Sequence, residues 1–192
     1  MAKRTPRVEM LDVDAARARA RTLGLSEQLA TLNVFRTLLH QENVAKAVAG
    51  TLTTLLFTGN RLDVRVRELI IMRIGWVTGS CYEWTQHWRV ARGLDIPEAD
   101  LLAVRDWASA KCFSALERAA LAATDETLTD GHISSRTWSR LAKHLGADTL
   151  VELVIAIGNW SMFSQLLQSL DVQLEEGVEP WPPDGRVPTR RT

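Results

Sequence analysis

Apolar residues recur at helical spacing along most of the chain. From Gln28 to His40 they fall at Leu29, Leu32, Phe35, Leu38 and Leu39, one face of a 3.6-residue period. His40 closes that segment, where a histidine complements the helix dipole. Glu42 to Phe57 is rich in Ala and Leu, and Gly59-Asn60 ends it. Asp63 is suited to cap a third helix, running from Arg65 to Thr78. Its apolar positions cover most of its surface, so it is expected to be buried on several sides. Gly79 stops it, and Ser80 is placed to cap a helix that carries Tyr82 to Arg92 and ends at Gly93. Pro97 opens another, reaching Trp107. Ser114 with Glu117 three residues on is a capping-box pattern, for a helix ending near Gly131. Ser134 or Ser135 begins the next, as far as Gly146. Asp148 caps a last long helix to about Leu170, apolar nearly all round. Such a helix needs cover from several neighbours, and a second subunit is one candidate.

No segment alternates like a strand between hairpin turns, and no repeat has solenoid spacing. The pattern predicts an all-α fold, a single-domain bundle of about eight helices. Residues 1–27 are expected to be a loosely held, Arg-rich arm, although DVDAARARARTLG has the composition of a short polar helix. The helical domain is expected over 28–171. The tail, 172–192, carries Pro180, Pro182, Pro183 and Pro188 and is expected to be extended.

Composition changes this picture only a little. The 192 residues suffice for one domain with a sizeable core, at 46% hydrophobic and 24% charged. Lys+Arg and Asp+Glu are each 23, so no basic field favours nucleic acid. The start, MAKRTPRVEM, has no apolar run of signal-peptide length. No stretch reaches about 18 uninterrupted apolar residues, so no membrane association is expected. Cys81 and Cys112 form neither a C-x-x-C pair nor a disulfide framework. A reducing, cytoplasmic setting follows. Seven Trp against one Tyr are more than core volume needs, and suggest a lined cavity or a subunit contact.

The chemistry gathers between Arg65 and Gly93. Glu83 and His87 are four apart and share a helix face. Their ordinary pKa values, about 4.3 and 6.5, suit proton transfer near neutrality. Glu68 reaches the same pocket if the two helices pack antiparallel across their short turn. A solvated ion pair has the same spacing. So has a metal site with Glu68 as third ligand, although the pattern is far weaker than H-E-x-x-H. Trp76, Tyr82 and Trp84 are candidate pocket walls. Of Arg65, Arg67 and Arg73, one is expected to pair structurally and another, with Arg73 the candidate, to meet an anionic substrate. Cys81 begins the helix but points about 160–200° away from Glu83.

The run R-x-R-E-L-I-I-M-R, then G-S-C-Y-E-W-T-Q-H and A-R-G-L, resembles the carboxymuconolactone decarboxylase family, most closely its longer members. The resemblance extends from about Asn33 to Pro183. It implies an all-α, alkylhydroperoxidase D-like fold assembled as trimers or hexamers. The family includes a lactone decarboxylase and thiol peroxidases. The peroxidases use a glutamate, a C-x-x-C pair and a histidine. On this chain the glutamate falls on Glu68 and the histidine on His87, while the cysteine positions hold Ser80 and Glu83. A thiol peroxidase needs a thiolate and a resolving thiol, which Ser80 and Glu83 do not supply. The expectation is therefore a lyase or isomerase that needs no cofactor or metal and acts on a small carboxylated lactone or carbonyl compound. Glu68, Glu83 and His87 would be its catalytic groups. A non-catalytic ligand-binding or assembly role, and a peroxidase acting through Cys81 alone, stand as alternatives.

Overall fold

In the computed structural model, which describes residues 5–180 and 184–186, the described chain is helical and holds no strand. The fold is all-α, with nine α-helices and two 3₁₀ turns among the described residues. Pro182, Pro183 and Pro188 lie outside those residues. The chain divides into two compact units, residues 1–60 with 166–178, and 61–165 with 179–192.

The first unit begins with α1, Val13–Leu23. The expected loose arm is thus an ordered helix over these residues. Asp12 caps it by accepting from the Ala15 amide, and Gly24 closes it at φ 70°. The small Ala16 and Ala20 are fully buried. Arg19 donates to the Leu39 carbonyl at 2.8 Å and ties the helix to the next segment. That segment, expected as one helix from Gln28 to His40, is a 3₁₀ turn at Leu29–Thr31 followed by α2, Asn33–Leu38. Leu32 is extended between them (ψ 135°). The break frees the Asn33 amide to donate to Glu175 Oε1 at 3.0 Å. The Asn33 side chain donates to the Gln173 carbonyl at 3.1 Å. These partners lie some 140 residues on, beyond any local pattern. His40 meets the Glu9 carbonyl through Nε2 at 2.8 Å, a structural contact. The helix α3 spans Glu42–Leu56.

The second unit is built on α4, Val64–Thr78, with Asp63 accepting from the Arg65 and Val66 amides. Nine of its fifteen residues are buried, as its all-round apolar surface requires. The helix packs against α5, Cys81–Gly93, and α7, Ala115–Asp130. Gly75 lets α5 approach: a Cβ there would stand 3.0 Å from the Trp84 amide nitrogen. The helix expected from Pro97 to Trp107 is α6, Glu98–Ala103, continued by a 3₁₀ turn at Val104–Asp106. The Ser114–Glu117 capping box of α7 is complete. Ser134 caps α8, Ser135–Leu141, which stops short of Gly146.

The long helix α9 spans Ala147–Ser169. By length and composition it could cross a membrane, yet 44% of its most apolar window is buried inside the protein. Glu152 near its start accepts from the Arg61 amide at 2.6 Å. One side carries Leu153, Ile157 and Trp160 into the core. The other exposes Val151 (63%), Ile155 (51%) and Met162 (38%).

Candidate active site

The short connection through Gly79 and Ser80 turns α5 back along α4. Gly79 takes φ 74°, a conformation that side chains disfavour. This reversal sets Glu68 of α4 against His87 of α5. Glu68 Oε2 lies 2.7 Å from His87 Nδ1. Glu68 is fully buried, and its other oxygen takes the Arg67 guanidinium at 3.0 Å. Glu83 stands one turn before His87, with Oε2 3.8 Å from His87 Nε2. The three residues expected at one site are therefore together.

Trp160, not expected at the site, completes it. Its indole N–H donates to His87 Nε2 at 3.1 Å, and the rings meet edge-on at 86°. An indole N–H only donates. So Nε2 presents its lone pair to Trp160, and the proton sits on Nδ1, facing Glu68. This is the Nδ1–H tautomer, fixed from both sides.

The charges follow from burial and neighbours. Burial alone would push Glu68 up, but the His87 imidazole and the Arg67 guanidinium outweigh it and hold its pKa below the usual value. At Glu83 burial dominates: the carboxyl is lifted to about 7, with Glu68 adding to the rise and His87 opposing it. Burial pushes His87 down, yet Glu68 and then Glu83 outweigh it, so its pKa is raised. The Trp160 N–H favours the neutral ring and opposes that rise. Glu83, lifted to about 7, and His87, raised, thus influence each other's titration, beside a Glu68 carboxylate held in its ionised form.

The other expected site residues are placed differently. Trp84 is fully buried in an apolar cluster with Leu69, Met72, Leu101 and Leu121. Its ring lies 5.3 Å from Trp76 and 6.2 Å from Trp88. Tyr82 is 6% exposed. Trp76 stacks under the Arg105 guanidinium at 5.3 Å. Arg73 grips Asp125 with two bonds, 2.7 and 2.9 Å, and donates to the Val104 and Arg105 carbonyls. Its donors tie α4 to α7 and to the turn after α6. Arg65 pairs with Glu117 and Asp100. All three arginines near Glu68 therefore meet carboxylates of the protein itself.

Cys81 Sγ lies 3.8 Å from Thr85 Oγ1. Cys112 is exposed, and partial desolvation together with Asp100 raises its pKa. Among the described residues, no group of three His, Cys, Asp or Glu is arranged to hold a metal ion. A cavity of about 310 Å³, lined by Arg73, Arg105, Asp106, Trp107, Ser109 and Asp125 among others, does not include Glu68, Glu83 or His87.

No curated protein sequence matches the chain. Among solved structures it is similar to the alkylhydroperoxidase AhpD core of an uncharacterized peroxidase-related protein from Ralstonia eutropha JMP134. The TM-score is 0.73 at 14% identity, over 91% of this chain and 95% of that one. It is also similar to a cysteine-to-alanine variant of the debrominase Bmp8 in complex with 2,3,4-tribromopyrrole. There the TM-score is 0.72 at 18% identity, over 90% and 93% of the two chains. A protein of unknown function from Agrobacterium tumefaciens, described as a putative antioxidant defence protein AhpD, gives 0.66 at 19% identity, over 72% and 94%. These likenesses show the fold. The sequence of residues 42–126, which contains Glu68, Ser80, Glu83 and His87, matches a family directly. That stretch of the chain, its central helices, is similar to the Carboxymuconolactone decarboxylase family, and the fold is AhpD-like.

Proposed function

We propose that the protein is a cofactor-independent lyase or isomerase working by general acid–base chemistry on a small carboxylated lactone or carbonyl compound. The buried Glu68–His87–Glu83 set supports this reading, because Glu83, lifted to about 7, stands beside an imidazole held by an ionised carboxylate. In a decarboxylation the bond to the carboxylate carbon breaks, and its electron pair enters the neighbouring carbonyl or lactone as an enolate. CO₂ leaves. A proton from the Glu83–His87 pair then forms the new C–H bond, and solvent restores it. Glu68 stays ionised and holds the imidazole in register. An isomerisation uses the same pair to take a proton from one carbon and return it to another.

The test is CO₂ release from γ-carboxymuconolactone by the wild type and by Glu83→Gln. The wild type is expected to release CO₂, and the variant to lose most turnover while keeping its fold. Equal turnover in the two would sink the assignment of Glu83.

One observation favours a ligand-binding role without turnover: the Trp160 indole already occupies His87 Nε2. Saturable binding of the lactone by a wild type that releases no CO₂ would select that reading. A peroxidase acting through Cys81 has less support, since the Cys81 thiol meets Thr85 and the two cysteine positions of the family motif hold Ser80 and Glu83.

We propose further that copies of this chain assemble through the exposed apolar stripe of α9, as trimers or hexamers like the family.

A further inference from the structure

The start of α5 reads S-C-Y-E, Ser80 to Glu83, the sequence of a capping box. The same chain shows what that sequence does when it serves a helix. At α7, Ser114 Oγ accepts from the Glu117 amide at 3.2 Å, and Glu117 Oε2 accepts from the Ser114 amide at 2.6 Å. At α5 neither bond forms. The Ser80 side chain makes no cap bond. Its amide donates instead to the Gly75 carbonyl at 2.9 Å, as part of the turn at Gly79. Glu83 is swung inward towards His87. Ser80 Oγ and Glu83 Oε2 are both buried and have no hydrogen-bond partner among the described residues. Ser80 is 1% exposed and Glu83 5%.

Buried polar atoms are almost always paired. Here two stand three residues apart at the start of one helix, where in a capping box each side chain would bond the other residue's amide. The Ser80 amide is held by the Gly75 carbonyl instead, so the box is not formed. A hydroxyl and a neutral carboxyl both donate to an oxygen. The first turn of a thirteen-residue helix adds partial positive charge. That combination suits an acceptor oxygen carrying or gaining negative charge.

We infer that the Ser80 hydroxyl and the Glu83 carboxyl together receive a carboxylate or carbonyl oxygen of a small carboxylated lactone, which makes Ser80 a substrate-binding residue. The inference rests on the acid–base reading of this site and names the substrate group held there. It places the substrate oxygen within reach of the Glu83–His87 proton.

Ser80→Ala and Ser114→Ala, made side by side, test it. Muconolactone, a stable carboxylated lactone, is the probe, with its methyl ester as uncharged control. Binding is read by titration calorimetry and folding by Tm. Ser114→Ala is expected to lower Tm, because a cap bond is lost. Ser80→Ala is expected to leave Tm unchanged and to weaken muconolactone binding about tenfold, the loss of one charge-assisted hydrogen bond. Glu83→Gln, whose amide still donates, is expected to keep most of the binding while losing turnover. Three results overturn the inference: no muconolactone binding by the wild type, equal binding by Ser80→Ala, or a fall in Tm at Ser80 like that at Ser114. Binding that depends on Ser80 in a protein that decarboxylates nothing would leave the inference standing and remove the acid–base reading.

Discussion

Glu68 and Glu83 are the same residue type beside one imidazole, and their surroundings drive them apart. Glu68 spends both oxygens, on Arg67 and on His87. Glu83 has no cation in hydrogen-bond contact and carries the full cost of burial. Such divergence is how a site holds an acid and a base at one pH. It also has a sign for stability. Glu83 has a folded pKa of about 7, above its unfolded value of about 4.3. Its contribution is complete below the unfolded value and is lost as pH rises through 7. His87, also raised, loses its contribution in the same direction. Glu68, lowered, loses its own only as pH falls below its unfolded value. Wild-type Tm should therefore decline between pH 5 and 8. Glu83→Gln, neutral throughout, should decline less, by a difference of at most about 3 kcal/mol. Thermal melts of the two proteins at pH 5, 6, 7 and 8 check this, and parallel profiles would contradict the burial of an ionisable Glu83.

At the scale of elements, the site depends on how close α4 and α5 can lie. Gly75 sets that distance. A Cβ there meets the Trp84 backbone at 3.0 and 3.3 Å, and Trp84 is itself fully buried. Backbone cannot rotate aside as a side-chain tip can, so the helices must separate. Gly75→Ala should cost about 1–3 kcal/mol and loosen the Glu68–His87 contact. Chemical denaturation would show the loss, and a variant as stable as the wild type would mean that the helices have room to spare. Local signals carried much of this level. Asp63 caps α4, Gly79 closes it, and the Ser114–Glu117 box starts α7, as the sequence indicates. They failed where distant partners intervene. Leu32 interrupts a good helical pattern, and the Asn33 that follows it bonds to Gln173 and Glu175. The S-C-Y-E pattern at α5 promises a capping box that its burial beside His87 withholds.

For the whole molecule, the exposed apolar side of α9 is the feature that an assembly would cover. Val151, Ile155 and Met162 recur at spacings of four and seven on its exposed face, a stripe of the kind that packs against another helix. Isolated exposed apolar residues are ordinary, but an aligned row marks an interface. Light scattering at micromolar concentration should give a trimer or a hexamer. Ile155→Glu should shift it to smaller species without unfolding, because the side chain is half exposed. A wild type that runs as a monomer would remove the proposal.

The sequence by itself determined the all-α class and most helix limits, and it singled out Glu68, Glu83 and His87 as a candidate set. Those are recorded in short-range spacing: a 3.6-residue period, cap residues at fixed offsets, and a Glu and a His one turn apart. It also pointed to the family through the same segment. Only the tertiary structure decided which side chains meet. Trp160 lies 73 positions from the His87 that it contacts, and Arg73 lies 52 from the Asp125 that holds it. No local period encodes such a pair. Nor does spacing reveal burial, which separates Glu83 from Glu68 and leaves Ser80 facing a use other than its helix. Both effects come from removing water around groups that folding brings together, so they exist only once the helices are packed.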